Sequence, residues 1–320
     1  MKVVMKIVSL EPLKESWVDS VKMQTGQDIA VILRDKVQEE AETLSSTEIL
    51  ICRDRDLTES LLGNLQNVKW IFIVSTGVDK LPFDYLQERE IQIVNSPNVS
   101  DEAMSDYTIG AMMLYSCKFK ELLQCQQKSF WKPYAMTDPL QGKNLLIVGA
   151  GKIGQRIADK AKVFGMKILG ICRQPKEINN FDVVKGVESL KGLCQEADYV
   201  VCTLPLTGET AKIFNEDVFR QMKENAVFIN ISRGGLVNTG DLCRCLKEKV
   251  IAGAVLDVFE KEPLSVDSEL WELDNLVITP HSSGRIENYL EEAMKIFTKN
   301  LYEYIESGKL INTIDLRKGY

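Results

Sequence analysis

Short apolar, β-branched runs punctuate the chain at residues 6–10, 48–52, 70–75, 91–95, 145–149, 167–172, 199–203, 226–231, 252–258 and 276–279. Most are apolar throughout and do not alternate, which is how strands buried on both faces read. Longer stretches with helical spacing, residues 154–164 among them, lie between many of these runs. Strand, helix, strand in repetition predicts parallel sheets covered by helices, the α/β class. One long helix is predicted from Ser100 to about Lys128, with Ser100 as N-cap and Asp101 and Glu102 complementing the helix dipole in its first turn. Its apolar residues, among them Met104, Ile109, Met112, Met113 and Leu114, fall on several faces. That suits a core helix and equally one that also builds a subunit interface.

Composition narrows the class. At 320 residues the chain is long enough for two ordinary domains, and 45% apolar with 27% charged residues is a globular profile. A net charge of −7 argues against nucleic acid or an anionic membrane as partner, because both need clustered positive charge. No run approaches the roughly 18 apolar residues of a membrane span. The apolar opening is brief, is interrupted by Lys6 and lacks a small-residue cleavage site, so it reads as a first strand of a cytoplasmic protein. The eight cysteines are scattered and several sit inside apolar runs, as reduced core thiols do. With a single histidine and one close pair, Cys243 and Cys245, no metal site is expected.

The run Leu145-Leu146-Ile147-Val148 leads directly into Gly149-Ala150-Gly151-Lys152-Ile153-Gly154 and then a helical pattern. A glycine loop between strand and helix is the setting a dinucleotide needs. Gly149 allows the tight turn, Gly151 lets the backbone approach a pyrophosphate, and Gly154 lets helix and strand pack closely. Lys152 and Ile153 open the helix whose amides and dipole face the phosphates. NAD sites usually carry an acid at the end of the next strand. Here that position reads Gly170-Ile171-Cys172-Arg173-Gln174-Pro175-Lys176, with no acid before Glu177. Arg173 is suited to pair with a 2′-phosphate, so NADP(H) is expected as the preferred cofactor, with NAD(H) also open.

Three later segments lie at carboxyl ends of predicted strands, where open α/β sheets bind ligands: Ile231-Ser232-Arg233-Gly234-Gly235, Leu256-Asp257-Val258-Phe259-Glu260-Lys261-Glu262-Pro263 and Thr279-Pro280-His281-Ser282-Ser283-Gly284. Together with Ser75-Thr76-Gly77-Val78-Asp79, Asn95-Ser96-Pro97 and Leu204-Pro205-Leu206-Thr207, in this order and spacing, they resemble the D-isomer-specific 2-hydroxyacid dehydrogenase family over nearly the whole chain.

The resemblance implies two Rossmann-like or flavodoxin-like domains with the active site in the cleft between them. The substrate domain takes residues 1–98 plus 286–320 and the dinucleotide domain residues 99–285. It implies Arg233, Glu262 and His281 as the catalytic set for moving a hydride between NAD(P)H and a small 2-keto acid or its D-2-hydroxy acid. The chemistry suits them: a planar arginine fork for the carboxylate and carbonyl, a histidine that titrates in the working range, and a carboxylate to orient it. It further implies that Asp257 meets the nicotinamide carboxamide, that Thr203 and Pro205 line the adenosine side, that backbone amides of Thr76, Gly77 and Val78 hold the substrate carboxylate, and that the protein is a homodimer. Choice of substrate side chain is expected from residues 52–54 and 75–78 and Tyr289, with Arg53 either meeting a substrate anion or forming a surface ion pair. Two other readings share parts of the pattern. One is a dinucleotide-sensing corepressor. The other is a formate dehydrogenase, whose histidine partner is a glutamine from the segment just before it, where this chain has Pro280. The particular acid is not legible.

Overall fold

The computed structural model describes residues 4–78 and 80–317. Met1, Lys2 and Val3 of the apolar opening, Asp79 of the Ser75–Asp79 segment and residues 318–320 lie outside them. The chain divides into two compact units, Met1–Val99 with Ile286–Tyr320, and Ser100–Arg285.

The first unit holds strands β1 (Ile7–Ser9), β2 (Ile29–Val31), β3 (Ile49–Cys52), β4 (Trp70–Ile73) and β5 (Gln92–Asn95). They form one parallel sheet in the order β2-β1-β3-β4-β5. Alternate residues feed separate cores. Val8, Leu50, Ile71 and Ile93 pack on one face, while Ile7, Ile49, Trp70, Phe72 and Val94 pack on the other against Phe297 and Leu301 of the closing helix Tyr289–Ser307. Burial on both faces is why β3 and β4 carry no polar residue; each large apolar side chain so buried contributes roughly 1.5–3 kcal/mol.

The second unit continues with β6 (Asn144–Val148), β7 (Lys167–Ile171), β8 (Val183–Lys185), β9 (Tyr199–Cys202), β10 (Val227–Asn230), β11 (Gly253–Leu256) and β12 (Leu276–Ile278). All pair in parallel, in the order β12-β11-β10-β9-β6-β7-β8. The direction of winding reverses between β6 and β9, so the carboxyl ends of these two strands form the switch point at which such sheets bind ligands. The α/β class and parallel topology expected from the pattern are therefore observed.

Three local expectations need correction. The single helix expected from Ser100 to Lys128 is two helices, Asp101–Ser116 and Phe119–Gln127, broken where Lys118 adopts a left-handed φ of 57°. Ser100 does not cap with its side chain: its backbone is already near-helical (φ −97°, ψ −5°), and its hydroxyl donates to Gly284 O at 2.9 Å. An N-cap side chain reaches the first-turn amides from an extended backbone, which Ser100 lacks. The pattern also missed β2 and β8. Both are three-residue edge strands; β8 is half-buried or exposed throughout, while β2 lies in the apolar run Ile29-Ala30-Val31-Ile32-Leu33 but exposes Ala30 and Val31. Among the described residues no helix is long and apolar enough to cross a membrane.

Candidate active site

The glycine loop follows β6 at the switch point. Gly149 has φ +117°, and a Cβ there would lie 2.6 Å from Thr203 Oγ1. A Cβ at Gly154 would meet Gly149 O at 2.4 Å. Both positions need glycine for the protein's own packing. Gly151 differs: a Cβ there meets nothing within 4 Å, and no side chain caps the helix Lys152–Val163 that begins beside it. An exposed Gly151, an uncapped helix N-terminus at Lys152 and Ile153, and a clear approach make a cradle that fits a pyrophosphate.

Neighbouring strands fix the loop. The amides of Gly149 and Ala150 both donate to Ile171 O at the end of β7, at 2.9 Å each. Arg173, two residues beyond that strand, is exposed at the same carboxyl edge of the sheet as the glycine loop. From the β9 side, Thr203 Oγ1 donates to Gly149 O at 2.6 Å, and Pro205 O accepts from Thr210 Oγ1 at 2.7 Å.

The catalytic candidates come from the ends of β10, β11 and β12. Gly234 makes the close approach: a Cβ there would fall 1.8 Å from Phe259 C and 2.3 Å from Glu260 N. Only glycine lets the loop after β10 lie backbone-to-backbone on the loop after β11, which sets Arg233 beside the acidic segment. Asn230, fully buried at the end of β10, shapes the turn by donating to Arg233 O at 2.9 Å and accepting from Ser232 N at 3.1 Å. Arg233 is half-buried, with Nη1 donating to Ser232 O at 2.8 Å.

Glu262 and His281 meet directly, Nδ1 to Oε2 at 2.8 Å, with both side chains partly open to solvent. The other Glu262 oxygen accepts from Phe259 N at 3.0 Å, so the carboxylate is oriented before it orients the ring. A carboxylate at Nδ1 keeps a proton there and leaves Nε2 as the nitrogen that exchanges protons with a ligand. His281 itself sits at φ +52°, a conformation that costs free energy in a non-glycine residue and concentrates at functional sites.

Asp257, fully buried, binds the histidine loop. Its Oδ1 accepts from Thr279 Oγ1 at 2.6 Å and Ser282 N at 2.8 Å, and its Oδ2 accepts from Ser283 N at 2.9 Å. The backbone adds His281 N to Asp257 O at 2.8 Å. Thr279, Ser282 and Asn230 were not singled out from the sequence. A polar residue closing the otherwise apolar run Val227-Phe228-Ile229-Asn230 was the available signal for the last of them.

In the first unit, Thr76 Oγ1 donates to Ser96 O at 2.9 Å and lies 3.2 Å from Tyr289 Oη, while Asn95 Nδ2 donates to Thr76 O at 2.7 Å. Ser75 Oγ donates to Gly77 O at 3.1 Å, and Val78 is buried. Arg53 grips the buried Glu11 through two bonds of 2.9 Å; Arg34 also binds Glu11 and holds Asp56 at 2.8 Å. Of the two expected roles for Arg53, the ion pair is the one present, and it is half-buried.

Comparison with known proteins meets this geometry. The profile of the D-isomer specific 2-hydroxyacid dehydrogenase, NAD binding domain, matches residues 109–283. The chain belongs to that family. It is 29% identical over 315 residues to D-3-phosphoglycerate dehydrogenase of Methanocaldococcus jannaschii, covering 97% of this chain and 59% of that protein, so it spans about three-fifths of that relative's length. It is 30% identical over 294 residues to glyoxylate reductase of Pyrococcus furiosus, covering 89% of this chain and 87% of that one. A solved D-isomer specific 2-hydroxyacid dehydrogenase family protein from Aeromonas salmonicida superposes with TM-score 0.87 at 30% identity, covering 99% of this chain and all of the other. The family places this chain among NAD(P)-dependent oxidoreductases.

Proposed function

We propose that this 2-hydroxyacid dehydrogenase family member reduces a small 2-keto acid to its D-2-hydroxy acid with NADPH as preferred donor, NADH being the alternative. The observation that carries the reading is the 2.8 Å His281–Glu262 pair, on the loops after β11 and β12 beside the Arg233 loop after β10. The second unit is the dinucleotide domain: Gly149, Gly151, Lys152, Ile153 and Gly154 hold the pyrophosphate, Thr203 and Pro205 flank the adenosine, and Asp257 faces the nicotinamide carboxamide. Bound there, the reduced dinucleotide supplies the hydride. Arg233 binds the carboxylate and polarises the carbonyl with its planar fork. His281 Nε2 gives the proton that the carbonyl oxygen needs as the carbon is reduced, and Glu262 stabilises the imidazolium before transfer. The amides of Thr76, Gly77 and Val78 in the first unit hold the substrate carboxylate. Arg173 reads the 2′-phosphate, because the position that carries an acid in NAD sites carries a guanidinium instead.

Two further readings accompany it. Eight unpaired cysteines fit a cytoplasmic protein. A homodimer is supported by the exposed apolar residues Phe119, Leu123, Phe130, Trp131 and Met136, clustered on and after the Phe119–Gln127 helix. Sedimentation velocity that returns a monomer at micromolar concentration rejects the dimer.

The deciding assay follows absorbance at 340 nm as the protein meets NADPH or NADH with a panel of 2-keto acids. Turnover, faster with NADPH, is the expected result. Tight cofactor binding without turnover of any acid rejects the reductase reading.

A further inference from the structure

The single histidine of this chain sits in a loop whose anchoring reaches well beyond its glutamate partner. Thr279 Oγ1 lies 2.6 Å from Asp257 Oδ1 and 2.7 Å from Tyr107 Oη, on the helix Asp101–Ser116. The donors can be assigned by counting protons. A carboxylate oxygen only accepts, so the one hydroxyl proton of Thr279 points to Asp257 Oδ1. Thr279 can then only accept from Tyr107, whose phenol must donate. Burial pushes the Tyr107 hydroxyl up to about 12, which keeps it protonated and able to donate at any working pH.

We propose that Tyr107 and Thr279 are positioning residues of the reaction: the chain Tyr107 Oη–H to Thr279 Oγ1–H to Asp257 clamps the loop that presents His281 to substrate. Neither hydroxyl touches the imidazole. They act through Asp257, which binds the loop on both sides of the histidine, at Thr279 before it and at Ser282 and Ser283 after it. The clamp has something to restrain, since His281 holds φ +52° and would relax from it in a looser loop. A buried carboxylate that loses a hydroxyl donor is left with an unfilled acceptor, and Tyr107 with an unfilled donor, so the whole network weakens together.

The inference rests on the reductase reading for its kinetic readout only. The second readout is independent, because one histidine in the chain means that histidine labelled with nitrogen-15 reports this ring alone. Thr279→Val, close in shape, is expected to lower kcat by about tenfold or more, since misplacing a reacting group by ~1 Å can cost roughly a hundredfold. The keto-acid KM should change less than kcat. The imidazole spectrum should lose the Nδ1–H signature of the bond to Glu262, and Thr279→Ser, which restores the hydroxyl, should recover both. Tyr107→Phe should move both readouts the same way by less, and serves if Thr279→Val does not fold. The proposal is overturned if Thr279→Val keeps the parent spectrum with kcat within about twofold, or if Thr279→Ser fails to restore what Val removes. A parent protein that turns over no keto acid rejects the reductase reading, while the histidine spectra still decide the clamp.

Discussion

At the scale of single residues, the site divides into groups that do chemistry and groups that choose the ligand. The proposed function puts His281 in the first, because its Nδ1 meets Glu262 and Nε2 remains for proton exchange. His281→Ala is expected to lower kcat by roughly 10²–10⁴, the usual worth of a positioned acid or base, while circular dichroism stays that of the parent. Activity retained in this variant removes the residue from the mechanism. The proposed function puts Arg173 in the second group. Arg173→Asp should weaken NADPH binding at least about tenfold and leave NADH nearly unchanged, since a charge-assisted pair is lost only for the phosphorylated ribose. Equal losses in fluorescence titrations with the two cofactors would sink the assignment. Both candidates come from the sequence, one as a lone histidine after Thr279-Pro280 and the other as a cation where an acid is usual. The clamp on His281 does not, because Tyr107 stands 172 positions from Thr279 and nothing local links them.

At the scale of elements, the loops at the sheet's carboxyl edge are held together by close backbone approach. Gly234 shows this most sharply, with the Phe259 carbonyl carbon where its Cβ would be. No rotamer change relieves a clash with backbone, so Gly234→Ala must push the Arg233 loop and the acidic loop apart. The expected cost is about 1–3 kcal/mol or more of stability, with turnover falling further than stability, read from thermal melts and initial rates together. An alanine variant with parental rates would mean that Arg233 and Glu262 need not be held in register. The strands buried on both faces are readable in the sequence; of the four edge strands, β5 and β12 are read as apolar runs while β2 and β8 are missed. The long helix after Ser100 was over-extended because its apolar pattern continues through Lys118, where the backbone turns left-handed.

At the scale of the molecule, burial that builds the second unit's core also sets its response to alkali. Burial raises the thiols of Cys194 and Cys202 to about 12 and the Tyr107 phenol to about 12, from usual values of 9.0 and 10.0. The unfolded chain releases these protons as pH rises past about 9, while the folded chain keeps them, so above that pH the unfolded state binds fewer protons and stability must fall. The contribution is intact below pH about 9 and lost by about 12. Urea midpoints measured under reductant from pH 8 to 11 should decline across that window; a flat or rising profile contradicts the burial of these groups.

Some properties of this protein follow from local sequence alone. Runs apolar on both faces predict parallel sheets under helices, and a glycine loop between strand and helix predicts a dinucleotide site, because each rests on the chemistry of adjacent residues. Arg233, Glu262 and His281 are proposed as a catalytic set because the motifs that carry them resemble those of the family, in segments that follow strands of that kind. What only the tertiary structure decided is how those ends meet. Gly234 against Phe259, Arg53 turned onto Glu11, Ser100 onto Gly284, and Tyr107 through Thr279 to Asp257 all join residues far apart in the chain. Such pairings depend on where packed strands and helices bring their side chains, and no periodicity along the chain encodes a distance through space.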